Sequence, residues 1–222
     1  MHTEFWHDCW RTNRIGFHQA EVNPLLREYW HVLELPAGAP VFVPLCGKSQ
    51  DLLWLLEQGH RVTGAELSAV AVEAFFAEAQ LTPKIDRHLG MQRWQSGDLA
   101  IFCGDVFDLT PVHTGELHGC YDRAALVALP AELRQRYAKH LGALLSCGAA
   151  ELLITMEYPP EEMAGPPFPV GEDEVRALFR DQWRVEPIER RDGLPSNERL
   201  RERGLSELSE AVYRLVRNAA IN

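Results

Sequence analysis

The feature that most constrains this chain is the stretch from Val41 to Ser68, which predicts a strand, a turn, a helix and a second strand. An apolar run breaks at Pro44 into the string Leu-Cys-Gly-Lys-Ser, and a second apolar run ends on Glu66, 19 positions after Gly47. In such a βαβ unit a ligand approaches backbone N–H groups at the turn, and an acidic residue roughly 20 positions on accepts hydrogen bonds from ribose. The pattern therefore predicts a nucleoside-binding half-fold.

The single glycine of the turn, Gly47, limits which nucleoside can bind. A dinucleotide site uses G-x-G-x-x-G, because several glycines let a pyrophosphate approach the backbone. A P-loop requires a glycine five positions before Gly47, where this chain has Phe42. The chain has 22 basic and 32 acidic residues, and this excess of negative charge also disfavours a polyanionic ligand. S-adenosylmethionine has a ribose and no diphosphate, and it is the predicted cofactor.

Length and composition are those of one globular domain, expected over residues 1–222, because 46% of the residues are hydrophobic. The five cysteines are widely spaced and odd in number, which disfavours a disulfide framework or zinc cluster, and no metal is expected. A formal net charge of −10 disfavours nucleic acid and anionic membrane as partners. With neither a leader pattern nor a long apolar run, we expect a cytoplasmic monomer with a small-molecule substrate.

The first 36 residues are predicted to form a helical cap. Trp6 and Trp10 lie four positions apart on one helix face, and Phe17 follows in a short loop. Three large rings so close together favour a cover over a planar ligand, with packing against the sheet as the alternative.

Past the first βαβ unit, strand and helix patterns alternate, which predicts a parallel sheet with crossover helices. Ser68 is expected to cap the second helix with its hydroxyl. Later in the chain, five prolines fall within residues 159–169 and exclude a helix or an interior strand. Residues 157–171 are therefore predicted to form a rigid loop over one face, a candidate lid.

Polar residues follow four predicted strands, at the edge of an α/β sheet where ligands bind. Glu66 is expected to bind the ribose hydroxyls, and Asp105 with Val106 the edge and face of the adenine. The loop at Leu45 is expected to bind the amino-acid moiety. The pair Asp122 and Arg123 closes the fourth strand.

These residues also carry a family resemblance that runs from about residue 4 to about residue 216. The chain resembles the thiopurine S-methyltransferases, and its short N-terminus favours a bacterial-type member. The matching blocks are Trp6, Trp10, Phe17–Gln19, Phe42–Lys48, Gly59–Ser68, Phe107–Leu109, Asp122–Ala128, Gly165–Phe168 and Gly204–Leu205. The Pro-Leu-Cys-Gly-Lys string is the specific part of this set.

The resemblance implies a Rossmann-like class I methyltransferase fold, with a mostly parallel seven-stranded sheet flanked by helices and an N-terminal helical cap. It implies that S-adenosylmethionine contacts Trp10, Leu45, Gly47, Glu66, Asp105, Val106 and Arg123. It also implies that Phe17, Phe168 and Arg199 lie around the acceptor, which is an aromatic thiol such as a thiopurine, or a selenium or tellurium compound. The expected product of the cofactor is S-adenosylhomocysteine.

An aromatic thiolate needs little activation, so the predicted enzyme needs mainly alignment and a water-poor pocket. Arg123 and Arg199 are the predicted catalytic residues, since their charges favour an anionic acceptor. Three alternatives stay open. The first is an O- or N-methyltransferase with His18 as a base. The second is a non-catalytic binder of S-adenosylmethionine, and the third is a nicotinamide oxidoreductase.

Overall fold

A computed structural model describes residues 3–219, so residues 1, 2 and 220–222 of the predicted domain lie outside the described residues. One sheet of nine strands lies within this range. The strands are β1 (Pro40–Val43), β2 (Arg61–Glu66), β3 (Lys84–His88), β4 (Met91–Ser96), β5 (Leu99–Cys103), β6 (Gly119–Arg123), β7 (Ala150–Glu157), β8 (Trp183–Asp192) and β9 (Ser209–Arg217).

The strands lie in the order β3-β4-β5-β2-β1-β6-β7-β9-β8. Neighbours from β5 to β7 pair in parallel, and β9 runs antiparallel between β7 and β8. These seven strands form the predicted sheet, and all of them except β9 run in one direction. β3 and β4 extend it beyond β5 as an antiparallel pair. β3 was missed because Ile85 is its one apolar residue, so it lacks the pattern of a buried strand.

Helices cover both faces of the sheet. Within residues 3–219 they are α1 (Thr3–Arg11), α2 (Pro24–Tyr29), α3 (Asp51–Glu57), α4 (Ala69–Glu78), α5 (Pro111–Thr114), α6 (Ala131–Leu144), α7 (Glu172–Phe179) and α8 (Glu198–Glu202). Tyr137 of α6 and Phe179 of α7 belong to the core on one face, and Leu52 of α3 and Phe75 of α4 to the core on the other. In the described part of the chain, each helix is too short or too polar to cross a membrane.

The N-terminal segment contains two helices, α1 and α2, separated by the predicted loop. Asn23 starts α2, because its side chain accepts hydrogen bonds from the N–H groups of Leu25 and Leu26 at 2.9 and 3.4 Å. Pro24 occupies the first helical position, where its fixed φ suits a helix and its lack of an N–H costs nothing. A 3₁₀ turn, Trp30–Leu33, continues α2 toward the sheet.

The sheet reverses its direction of growth beside β1. From β1 the chain builds outward to β2 and β5, and then returns to place β6 on the other side of β1. Ligands of open α/β sheets bind at such a reversal, outside the carboxyl ends of the strands. The loops that follow β1, β2, β5 and β6 are therefore the place to look for a site.

Candidate active site

A cavity of about 690 Å³ opens at the carboxyl ends of these four strands. Its size is that of a small-molecule site. The walls come from the N-terminal segment, the strand ends, the Pro-rich loop and the residues around α8. Nine of the predicted site residues line it, namely Trp10, Phe17, Leu45, Gly47, Glu66, Asp105, Val106, Arg123 and Arg199.

The loop after β1 holds an unusual backbone conformation. Leu45 has φ of +48° and Gly47 has φ of +53°, in the left-handed region that residues with a side chain seldom occupy. Between them, the N–H of Cys46 donates to the carbonyl of Ala65 at 2.9 Å and ties the loop to β2. A Cβ on Gly64 would lie 2.8 Å from the Cys46 sulfur, so only glycine lets the loop approach this closely. A strained, well-supported loop of this kind is typical of a ligand site.

Glu66 ends β2 and is 6% exposed at the cavity wall. Its carboxylate accepts hydrogen bonds from the N–H of Gly47 at 2.9 Å and the N–H of Ser68 at 2.8 Å. Burial raises the pKa of Glu66 to about 7, although these bonds act in the opposite direction. The structure also corrects the predicted role of Ser68, whose hydroxyl makes no cap bond to α4. Its backbone instead orients the carboxylate.

The segment after β5 turns sharply at Gly104 and presents Asp105 and Val106 to the cavity. The Asp105 side chain accepts a hydrogen bond from the N–H of Phe107 at 2.9 Å, which starts the 3₁₀ turn Val106–Asp108. From α6, Nε2 of His140 lies 2.7 Å from the carbonyl of Val106 and holds the segment from behind. Sequence reasoning missed His140, because a histidine within a helix pattern carries no sign of this contact.

The two polar residues that close β6 point in opposite directions, as side chains alternate along a strand. Arg123 lines the cavity, and its guanidinium donates to the carbonyl of Phe17 at 3.2 Å. Asp122 is fully buried on the other face, where it accepts from the Tyr137 hydroxyl at 2.7 Å and the Leu126 N–H at 3.1 Å. Burial raises the pKa of Asp122 to about 6. Asp122 therefore shapes the turn after β6 and does not face the cavity.

The predicted aromatic cap forms one cluster over the cavity. The ring of Phe17 lies 5.5 Å from those of both Trp6 and Trp10, edge to face in each case. Trp10 is buried against the loop after β1, since a Cβ on Gly47 would lie 3.0 Å from its ring. The aromatic cluster and the loop after β1 are thus in direct contact.

In the Pro-rich loop, Gly165, Pro166 and Pro167 line the cavity. Phe168 is not among the described residues that line it; its ring packs against Gly165, and its N–H donates to the carbonyl of Val127 at 2.7 Å. Phe168 thus anchors the loop to the turn after β6. Its predicted contact with an acceptor stays a prediction.

Arg134 joins this loop to the rest of the fold and was missed from sequence. The side chain is 4% exposed and donates to the carbonyls of Leu129 at 2.9 Å and Pro169 at 3.3 Å. It also forms an ion pair with Glu174 of α7 at 2.7 Å, and its guanidinium lies 5.7 Å from the centre of the Phe168 ring. One buried cation therefore holds the turn after β6, the Pro-rich loop and α7 together.

The short helix α8 lies between β8 and β9. Arg199 reaches from α8 to the N-terminal segment, where a Cβ on Gly16 would lie 0.7 Å from its Nη1 atom. Arg203 donates to the carbonyl of Pro166 at 3.3 Å. The N-terminal segment, the Pro-rich loop and α8 thus meet over one side of the cavity.

The cavity has charges of both signs. Its four arginines, Arg14, Arg123, Arg199 and Arg203, form no salt bridge with any residue between 3 and 219. His18 also lines the wall, and burial, with a smaller effect of Lys48, lowers its pKa and leaves the imidazole neutral at pH 7. The arginines beside the aromatic cluster therefore make this part of the cavity suitable for anionic ligand groups.

A family model described as thiopurine S-methyltransferase matches residues 1–218 of the chain. A protein of that name from Xanthomonas campestris pv. campestris is 50% identical over 218 residues, which cover 98% of this chain and 100% of that protein. A further protein of that name, from Bordetella petrii, is 48% identical over 217 residues, which cover 98% of this chain and 99% of that protein.

Solved structures agree at the level of the fold. The 1,6-didemethyltoxoflavin-N1-methyltransferase of Burkholderia thailandensis, with bound S-adenosylhomocysteine, has a TM-score of 0.66 at 18% identity and covers 98% of this chain and 87% of that one. An S-adenosylmethionine-dependent methyltransferase from Anabaena variabilis has a TM-score of 0.62 at 14% identity and covers 97% of this chain and 95% of that one. The predicted fold class is confirmed.

Proposed function

Because the chain belongs to the thiopurine S-methyltransferase family, we propose that it transfers the methyl group of S-adenosylmethionine to the sulfur of aromatic or heterocyclic thiols such as thiopurines. Methyl transfer itself follows from the family and the fold. Selenium and tellurium compounds are proposed as further acceptors. The thiol assignment depends chiefly on one observation, the aromatic cluster of Trp6, Trp10 and Phe17 in a single cavity with arginines that form no salt bridge within residues 3–219.

The residues of the cavity fit the proposed cofactor. Glu66 offers a carboxylate to the ribose, and Asp105 with Val106 forms a wall for the adenine. Leu45, Gly47, Trp10 and Arg123 surround the space left for the methionine part. When bound, S-adenosylmethionine supplies an activated methyl group on a sulfonium.

The chain's own contribution to the reaction is alignment and charge. The rings of Trp6 and Phe17 and the wall formed by Pro166 and Pro167 exclude water and orient a planar acceptor. Arg123 and Arg199 favour the thiolate over the thiol, because positive charge nearby lowers the pKa of an acidic group. These residues would hold an acceptor sulfur in line with the methyl group that bound S-adenosylmethionine would supply.

We also infer that the N-terminal cap and the Pro-rich loop work together as cover for the acceptor. Phe17 and Pro166 line the same cavity, and Arg199 and Arg203 connect α8 to each of the two segments. Their closure over a bound acceptor is part of the proposal.

Labelled methyl transfer to a thiopurine tests the proposed function with wild-type protein, Glu66→Ala and the control Glu73→Ala on the exposed side of α4. We expect turnover with wild type and the control, and loss of at least about 100-fold in Glu66→Ala, because hydrogen bonds to a charged group contribute about 1.5–3 kcal/mol each. Cofactor binding without turnover on any thiol, selenium or tellurium acceptor would instead indicate a binding protein. Equal activity in the two variants would refute the site.

A second candidate, methylation of oxygen or nitrogen, is favoured by the neutral His18 at the cavity wall. Such acceptors need a base that removes a proton. His18→Asn separates the two readings, because a thiolate acceptor should keep its rate in that variant, whereas a phenol or amine acceptor should lose it.

A further inference from the structure

Two buried polar side chains at the cavity wall take no part in the contacts described above. Asp51 begins α3, directly after the loop that follows β1, and is 2% exposed. Tyr121 lies on β6 and is 1% exposed. Both line the cavity, and they flank the crevice between β1 and β6 at which the sheet reverses its direction of growth. This is the part of an open α/β sheet where a ligand is expected.

The Tyr121 hydroxyl is buried beside Asp51, and it makes no hydrogen bond of normal length and angle to any of the described residues. Burial raises the pKa of Tyr121 well above its ordinary value, and the charge of Asp51 adds to the rise, so the phenol keeps its proton. A buried hydroxyl without a partner is costly in an apolar environment. A ligand in the cavity would provide the missing partner.

Asp51 also lacks a compensating charge in the described part of the chain. One carboxylate oxygen accepts the backbone N–H of Asn23 at 2.8 Å, and no Lys, Arg or His between residues 3 and 219 forms a salt bridge with it. The nearby Lys48 is paired with Glu78 at 2.5 Å. Buried carboxylates are normally paired with a cation, so this wall suits a cationic group.

Arg123 faces the same crevice. Residues two apart on a strand point to the same side, so Tyr121 and Arg123 share one face of β6. One part of the crevice therefore has the Asp51 carboxylate and the Tyr121 hydroxyl, and another part has the Arg123 guanidinium. This arrangement complements a zwitterion with one ammonium and one carboxylate, which is the chemistry of an amino-acid tail.

We propose that Asp51 and Tyr121 bind the α-ammonium group of the cofactor's methionine tail, while Arg123 binds its carboxylate. The Tyr121 hydroxyl donates its proton toward Asp51 and accepts an N–H from the ammonium, so both buried groups gain partners. This inference rests on the proposed function, because it takes S-adenosylmethionine as the cofactor.

Calorimetric binding of three adenosine thioethers tests the proposal. S-adenosylhomocysteine carries both tail charges, its decarboxylated analogue carries the ammonium alone, and 5′-methylthioadenosine carries neither. For Asp51→Asn we expect affinity to fall about 30-fold or more for the first two ligands, the usual loss when one partner of a buried charge pair is removed, and less than about threefold for the third. Tyr121→Phe should show the same pattern at about fivefold.

Arg123→Met is the matched control, since it should weaken S-adenosylhomocysteine and leave the decarboxylated analogue unchanged. The proposal is overturned if Asp51→Asn binds S-adenosylhomocysteine as wild type does, or if it loses all three ligands equally. A wild-type protein that binds none of the three would refute the proposed function, and this inference with it.

Discussion

The two halves of the cavity are built in different ways. The half proposed to bind the cofactor, called the cofactor half, consists of the ends of β1, β2, β5 and β6, whose positions are set by the backbone hydrogen bonds of neighbouring parallel strands. The half proposed to bind the acceptor, called the acceptor half, is made of the N-terminal segment, the Pro-rich loop and α8, which meet through a few side-chain contacts. A site of this kind can change its acceptor without moving its cofactor.

The largest expected effect comes from Arg134, which holds the acceptor half together from outside the cavity. Arg134→Met removes two hydrogen bonds to backbone carbonyls and the ion pair with the half-exposed Glu174, so we expect a loss of about 2 kcal/mol in the free energy of unfolding. The acceptor KM should rise about tenfold, while the dissociation constant of S-adenosylhomocysteine changes less than about twofold. Thermal unfolding, steady-state kinetics and calorimetry measure the three quantities.

Arg176→Met is the control for that variant, because Arg176 forms an exposed ion pair with Glu172 on the same α7 helix. It should change all three quantities little. If Arg134→Met weakened cofactor and acceptor to the same extent, the two halves would not be independent.

A change of pH is expected to have a smaller effect, which is limited to the affinity of the cofactor half for its ligand. Since the pKa of Glu66 is raised to about 7, the carboxylate loses its charge below that pH and accepts ribose hydroxyls less well. Affinity for S-adenosylhomocysteine should therefore fall as pH decreases from 8 to 6, by up to about tenfold per pH unit below 7. Glu66→Gln should bind weakly and show a flat profile over the same range.

Acidification changes protein stability in the opposite direction from cofactor affinity, because protonation of Glu66 favours the folded chain. The unfolded chain ionises Glu66 near its ordinary pKa of 4.5, whereas the folded chain holds the proton up to about pH 7. The contribution of this group to stability is therefore full below about pH 4.5 and is lost as the pH rises through 7. A cofactor affinity that rose on acidification would contradict the assignment of Glu66.

The smallest effect is expected at Gly16. A methyl group there would occupy the place of the Arg199 guanidinium, which is the flexible end of an exposed side chain and can move at little cost. Gly16→Ala should raise the acceptor KM about three- to fivefold and leave the melting temperature and cofactor affinity nearly unchanged.

A double-mutant cycle gives the control for that prediction. In an Arg199→Ala background, Gly16→Ala should have no further effect on the acceptor KM. An effect that persisted would mean that Gly16 acts through something other than Arg199.

The difference between the halves also explains what the sequence could predict. Apolar runs that end at Val43 and Glu66 indicate strands and place their ends at one sheet edge, so most of the residues predicted to bind the cofactor line one cavity. Arg134 looks like an ordinary helix charge, because its partners lie 5 to 40 positions away and are mostly backbone carbonyls. Phe168 belongs to a matching block, yet its ring anchors the loop instead of lining the cavity. Local patterns specify strand ends but do not show which distant loops meet.

The position of β9 bears on how the enzyme is made. Within the described residues β8 pairs with β9 alone, so β8 cannot join the sheet until residues 209–217 have been synthesised. β1, β2, β5 and β6 are complete by residue 123 and can pair while the chain is still growing on the ribosome. The ends of these four strands can therefore assemble before the Pro-rich loop and α8 have been synthesised.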